Sequence, residues 1–121
     1  MYAESVLQAK CYTWFHNTYP LLRKTLWRVE NERKRTRAEQ GRAKASGTVA
    51  GVSDFMLIHD GHLHCIELKT PSGRQSASQK AFQSAVEAQG ASYHVVRSLE
   101  EFKMLVARLT SAGRAEPCQT P

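Results

Sequence analysis

The sequence predicts an α/β fold with one mixed β-sheet flanked by helices. Three observations carry this expectation. The first residues form an apolar stripe at helical spacing. Residues 53 to 69 read as a hairpin of two near-continuous apolar runs, the pattern of strands covered on both faces. A helix, a short strand and a last helix follow. The order is therefore helix, three strands, helix, strand, helix. Three sequential strands can form a meander. The fourth, reached through a helix, can pair parallel to one of them by a right-handed crossover. At 121 residues the chain fits one domain, residues 1–113, followed by a polar tail at 114–121. That length buries a core without covalent staples.

Each element has its own signal. Residues 3 to about 18 are expected to be helical, because Leu7, Cys11, Trp14 and Phe15 share one stripe and Pro20 marks the end. Glu4 lies on that same stripe. A carboxylate along an apolar face is costly without a partner. The alternative is a first-turn Glu that favours the helix dipole and points to water. Leu26-Trp27-Arg28-Val29 suits a short strand. Residues 30 to 50 hold almost no large apolar side chain and read as a long basic loop punctuated by Gly41 and Gly47, with Gly51 just beyond. Such a loop inside a small domain is usually functional or disordered. Asp54-Phe55-Met56-Leu57-Ile58 and Leu63-His64-Cys65-Ile66-Glu67-Leu68 form the hairpin, turning at Asp60-Gly61. Pro71-Ser72-Gly73 breaks the second strand. Residues 76 to 89 suit a helix with Phe82, Ala85, Val86 and Gln89 on one face, ended at Gly90. Tyr93-His94-Val95-Val96 is a strand. Ser98-Leu99-Glu100-Glu101 is a capping box for a last helix that buries Phe102, Leu105, Val106 and Leu109 and stops at Gly113.

Charge narrows the partners. There are 17 Lys and Arg against 11 Asp and Glu, a net charge of +6. That balance favours an anionic partner, nucleic acid or membrane. The candidate phosphate contacts are Arg28, Arg33, Lys34, Arg35, Arg37, Arg42 and Lys44, with Arg74 beyond the hairpin. The basic stretch lacks the interleaved Leu, Phe and Trp of an interfacial helix, which disfavours a membrane surface. No apolar run approaches a transmembrane span. Cys11, Cys65 and Cys118 are scattered, which argues against a disulfide framework and a zinc knuckle. The first residues lack the pattern of a signal peptide. A reducing, cytosol-like compartment is expected.

The hairpin carries the candidate chemistry. Side chains alternate along a strand, so Cys65, Glu67 and Lys69 share one face and Ile66 and Leu68 the other. The tight turn at Asp60-Gly61 sets Asp54 nearly opposite Glu67. Two carboxylates that close repel by roughly 4 kcal/mol at about 4 Å and an effective dielectric near 20. A divalent cation reverses that cost, and oxygen ligands of this kind suit Mg²⁺ or Mn²⁺. Such an ion acidifies bound water and offsets phosphoryl charge. Lys69 can orient that water, or act as a base with a lowered pKa. The competing reading is a surface Asp and an exposed Glu–Lys pair.

Asp54, twelve residues, then Glu67-Leu68-Lys69 resembles the D-x(n)-E-x-K signature of the PD-(D/E)XK nuclease superfamily. Gly47-Thr48-Val49-Ala50-Gly51-Val52-Ser53-Asp54-Phe55 resembles the glycine-bearing approach to its Asp. Gly73 followed by Ser78-Gln79 resembles the stretch after its Lys. Glu4 and Gln8 match its N-terminal acidic motif. Together these resemble the VRR-NUC branch, the virus-type replication-repair nucleases, over roughly residues 3 to 109. The resemblance implies an αβββαβ core and a homodimer acting on branched DNA such as Holliday junctions, in a phage or bacterial host cytosol. It implies Mg²⁺ or Mn²⁺ held by Asp54 and Glu67 with the Leu68 carbonyl, Glu4 at or beside the metal, Lys69 as the catalytic lysine, and Gln79 supporting the site. Ser53 stands where the family usually has Pro, and the long basic 30–46 insert looks idiosyncratic, so substrate preference does not transfer from the resemblance. The alternatives are a non-catalytic DNA-binding module on the same fold, or a nicking or duplex nuclease without junction preference.

Other chemistry lacks its pattern. Ser72-Gly73-Arg74 has no Gly-Lys-Ser/Thr ending for a P-loop. No Gly-x-Ser-x-Gly elbow occurs. His59, His62 and His64 flank the turn and read as exposed turn histidines rather than a zinc site.

Overall fold

Four strands form one sheet in the order β1-β2-β3-β4. A computed structural model of the chain describes residues 2–30 and 36–115, with side chains for 3–30 and 36–111. The elements are α1 (Tyr2–Thr18), a 3-10 turn (Pro20–Thr25), β1 (Leu26–Arg28), α2 (Arg37–Ala45), β2 (Phe55–His59), β3 (His62–Leu68), α3 (Ala77–Ala88), β4 (Ser92–Val96) and α4 (Leu99–Ala115). β1, β2 and β3 pair antiparallel, and β4 joins β3 in parallel through α3. This is the expected mixed sheet.

The hairpin turn explains the register. Asp60 has φ 52° and Gly61 φ 76°, both left-handed, which matches the twist of the flanking strands. Phe55 then faces Ile66, so Asp54 falls opposite Glu67.

The core lies on one face of the sheet. Phe55, Leu57, Ile66, Leu68 and Val96 meet Cys11 and Phe15 of α1 and Phe102, Leu105 and Val106 of α4. Trp14 meets Phe102 edge-on at 5.9 Å. Burying each such large side chain contributes about 1.5–3 kcal/mol. α3 covers part of the other face, where Phe82 meets Tyr93. That second face is covered less fully than the apolar runs predict. Trp27 and Ile58 stay 44% and 42% exposed, and no residue of α3 is fully buried.

Four expectations need correction. The 30–50 stretch is not a continuous loop: residues 37–45 form α2. Thr36 and Glu39 make a reciprocal capping box, the Thr36 hydroxyl accepting the Glu39 N–H and the Glu39 carboxylate accepting the Thr36 N–H. α2 buries no residue and packs on no other described helix or strand. Capping rather than an apolar stripe defines it. Arg33, Lys34, Arg35 and the tail from 116, with Cys118, lie outside the described residues. Gly113 does not end the last helix, whose backbone runs to Ala115. His64 is not exposed. It is buried, and its Nδ1 lies 3.2 Å from Nε2 of His94. The Ser98 box is also shifted, since Ser98 accepts the Glu101 N–H while the Glu101 carboxylate takes the Arg97 N–H. No described helix is long and apolar enough to cross a membrane.

Candidate active site

The site forms where β2 begins and β3 ends. The backbone holds Asp54 first: the Val29 N–H donates to its carbonyl at 2.8 Å, continuing the β1–β2 pairing. Its side chain is fixed by the Leu68 N–H, which donates to Oδ2 at 2.7 Å. Ser53, fully buried, donates its hydroxyl to the Phe55 carbonyl at 3.1 Å. That bond restrains the backbone just before Asp54.

Glu67 faces Asp54 from β3 and is only 2% exposed. Its Oε2 accepts Nε2–H of Gln79 at 2.8 Å and lies 3.6 Å from the Lys69 ammonium. Its Oε1 is buried with no hydrogen-bond partner. Burial pushes the carboxyl up to about 7, and the charges of Asp54 and Glu4 push the same way while Lys69 opposes them. A buried carboxylate with a spare oxygen is expensive to keep ionised unless a cation reaches it.

α3 supplies the support. Ser76 caps it, accepting the Gln79 N–H at 3.2 Å, while Gln79 Oε1 accepts the Ser76 N–H at 2.8 Å. The other end of the same amide holds Glu67. One side chain therefore starts the helix and orients the carboxylate. The chain entering Asp54 lies directly on this helix end. Gly51 has φ 81°, and a Cβ there would collide with the Ser78 backbone carbonyl. Only glycine fits.

A cleft of about 370 Å³ opens over these groups, lined among others by Glu4, Gln40, Lys44, Asp54, Glu67 and Gln79. Glu4 thus comes to the site from the first helical turn. Among the described residues, no three His, Cys, Asp or Glu side chains gather closely enough to hold a metal by themselves. Mg²⁺ needs fewer, taking one or two carboxylates and filling its shell with water and phosphate oxygens. Asp54 and Glu67, with the free Oε1, fit that demand.

A solved structure described as a VRR_NUC domain protein superposes with a TM-score of 0.73 over 87% of this chain and 85% of that one, at 15% identity. The chain has a VRR-NUC fold. No family model matches the sequence, and no curated protein matches it. On this VRR-NUC fold the five residues read as catalytic, Asp54, Glu67, Lys69, Glu4 and Gln79, come together. The cations do not. Lys44 lines the cleft, whereas Arg37, Arg42 and Arg74 do not. Arg28 lines a different groove, between α1 and β1.

Sequence reasoning missed two neighbours. Tyr93, beside Cys65 in the β3–β4 register, sits near the carboxylates, and burial first and the Glu67 charge second push its hydroxyl up. Arg97 donates to the carbonyls of Thr70 at 2.8 Å and Gly73 at 2.7 Å, fixing the turn after Lys69. Neither carries a local pattern. The Ser76–Gln79 box does carry one, and its serine is the first residue of the expected 76–89 helix.

Proposed function

We propose that this chain is a Mg²⁺- or Mn²⁺-dependent deoxyribonuclease that hydrolyses phosphodiester bonds in branched DNA. The observation that carries the reading is Glu67. It is buried, its Oε2 is held by Gln79 and Lys69, and its Oε1 is unpartnered, at the floor of an open cleft beside Asp54. A divalent ion, when bound, supplies an acidified water and offsets charge on the phosphate. Asp54 and Glu67 would hold it with the Leu68 carbonyl, and Glu4 would stand at or beside it.

The chain's own residues do the rest. Gln79 keeps the Glu67 carboxylate in one rotamer, so its free oxygen points at one place. The Lys69 ammonium, 3.6 Å from Oε2, offsets part of the Glu67 charge. With substrate present it stands where it can orient the attacking water or meet developing charge. Its backbone is anchored through its N–H to the Val96 carbonyl at 3.0 Å. Lys44 on the cleft wall and the other cations of the 28–44 segment hold phosphates without reading sequence. In-line attack of water on phosphorus, with the 3′-oxygen leaving as the family resemblance implies, would give 5′-phosphate and 3′-hydroxyl ends.

The test is cleavage of labelled four-way junction, nicked, single-stranded and duplex DNA in Mg²⁺, Mn²⁺ and chelator. Metal-dependent cutting with preference for the junction supports the reading in full. Equal cutting of plain duplex removes the branched substrate. Binding without cutting under every metal leaves a DNA-binding module.

A further inference from the structure

We propose that the groove between α1 and the edge strand β1 is a track for unpaired nucleotides flanking the scissile bond, with Tyr12 as its stacking platform. The proposal rests on the nuclease reading above and names the form of the strand that site accepts. The groove encloses about 690 Å³. Pockets of roughly 300–1,000 Å³ suit ligands on the scale of a nucleotide or two, not a duplex. Asp54 lines both this groove and the carboxylate cleft. A strand with one phosphate at Asp54 and Glu67 therefore continues directly into it.

The walls carry what a single strand needs. Tyr12 remains 38% exposed, yet its ring lies nearly parallel to Phe55, 6.4 Å away at 21°. Phe55 is fully buried, so the plate is backed by a core ring. Gln8 and Thr13 flank it on α1, and Arg28 stands on β1. The Arg28 guanidinium lies 3.4 Å from Glu30, both more than half exposed. Such a pair is weak and gives way to a phosphate. An aromatic plate beside a cation is how single-stranded nucleic acid is held without sequence preference. A base inside a duplex has both faces covered and cannot use the plate. The strand is therefore unpaired next to the cut, as it is at a flap, a gap or an opened branch point.

The experiment measures binding of a fluorescent oligo(dT) and of a blunt duplex by anisotropy, in chelator, for wild type, Tyr12→Leu and Tyr12→Phe. Leucine keeps the apolar contact with Phe55 and removes the aromatic face. We expect Tyr12→Leu to weaken oligo(dT) binding roughly 5- to 100-fold, Tyr12→Phe to restore it, and duplex binding to stay level in all three. The proposal falls if wild type does not bind oligo(dT), if Tyr12→Leu binds it as wild type does, or if single-strand and duplex binding decline together. Cleavage plays no part in this assay. Loss confined to the single strand in a protein that cuts nothing would keep the track and discard the nuclease.

Discussion

Glu67 is the residue on which the proposed chemistry turns, and its environment has a measurable consequence. Burial holds the folded carboxyl near 7, against a usual value of 4.5. The folded protein therefore keeps a proton that the unfolded chain releases. Without metal, stability should fall as pH rises from about 4.5 to 7 and then level off. Glu67→Gln removes the ionisation, so at pH 8 it should raise metal-free stability by up to about 3 kcal/mol, read by denaturant melts, while abolishing any cleavage. A Gln variant less stable than wild type at pH 8 would mean the carboxylate is not strained. Gly51→Ala should cost more than about 1 kcal/mol, from the left-handed φ and the collision with Ser78, and the same melts measure it. At this scale much was legible. A strand period of two and a turn at Asp60-Gly61 are enough to set Asp54 opposite Glu67 and to put Lys69 on the same face. Tyr93 and Arg97 were not legible, because they reach the site through a parallel pairing of β3 with β4 that no local spacing encodes.

Elements that looked plain in sequence carry features of their own. α2 has no apolar stripe to mark it in the sequence, and its signal is the cap formed by Thr36 and Glu39. Thr36→Ala should lower its helicity, at a cost to the helix of about 0.5–2 kcal/mol, and leave the melting temperature of the domain unchanged, since α2 packs on no other described element. Circular dichroism and a thermal melt separate the two effects. A drop in melting temperature would show that the helix belongs to the core. β3 and β4 hold a second titrating feature at the hairpin end, away from the carboxylates. His64 and His94 touch, and burial lowers both, His64 to about 4. His62 and His94 add to the effect on His64, and Arg108 of α4 adds to that on His94. The unfolded chain takes up the protons that the fold refuses. Their contribution is thus complete above about 6.5 and is lost as pH falls toward 4. His64→Gln should flatten that acid limb in pH-dependent denaturant melts, and an unchanged limb would remove the histidine pair from it.

The whole molecule joins an acidic floor to a basic exterior. A net charge of +6 on so small a domain suits a polyanion, and in the proposed function Asp54, Glu67 and Glu4 would hold a cation at the cleft floor. DNA affinity should fall steeply with salt, by a log–log slope of about 0.9 for each phosphate neutralised. Lys44→Ala should reduce that slope by about one, where Arg42→Ala, outside the cleft, tests whether the effect is local. The fold class and the αβββαβ order were readable because each strand and helix bears its own period. The open second face of the sheet was not, since an apolar run gives the same signal whether one neighbour covers it or two. The most direct measurement is single-turnover cleavage of a labelled four-way junction by wild type and Glu67→Gln, in Mn²⁺ and in chelator, with binding followed in parallel. The expected result is cutting by wild type in Mn²⁺ alone, with the variant binding the junction as tightly and cutting nothing. Equal cutting by both proteins, or cutting that survives chelator, would contradict a metal site built on Asp54 and Glu67.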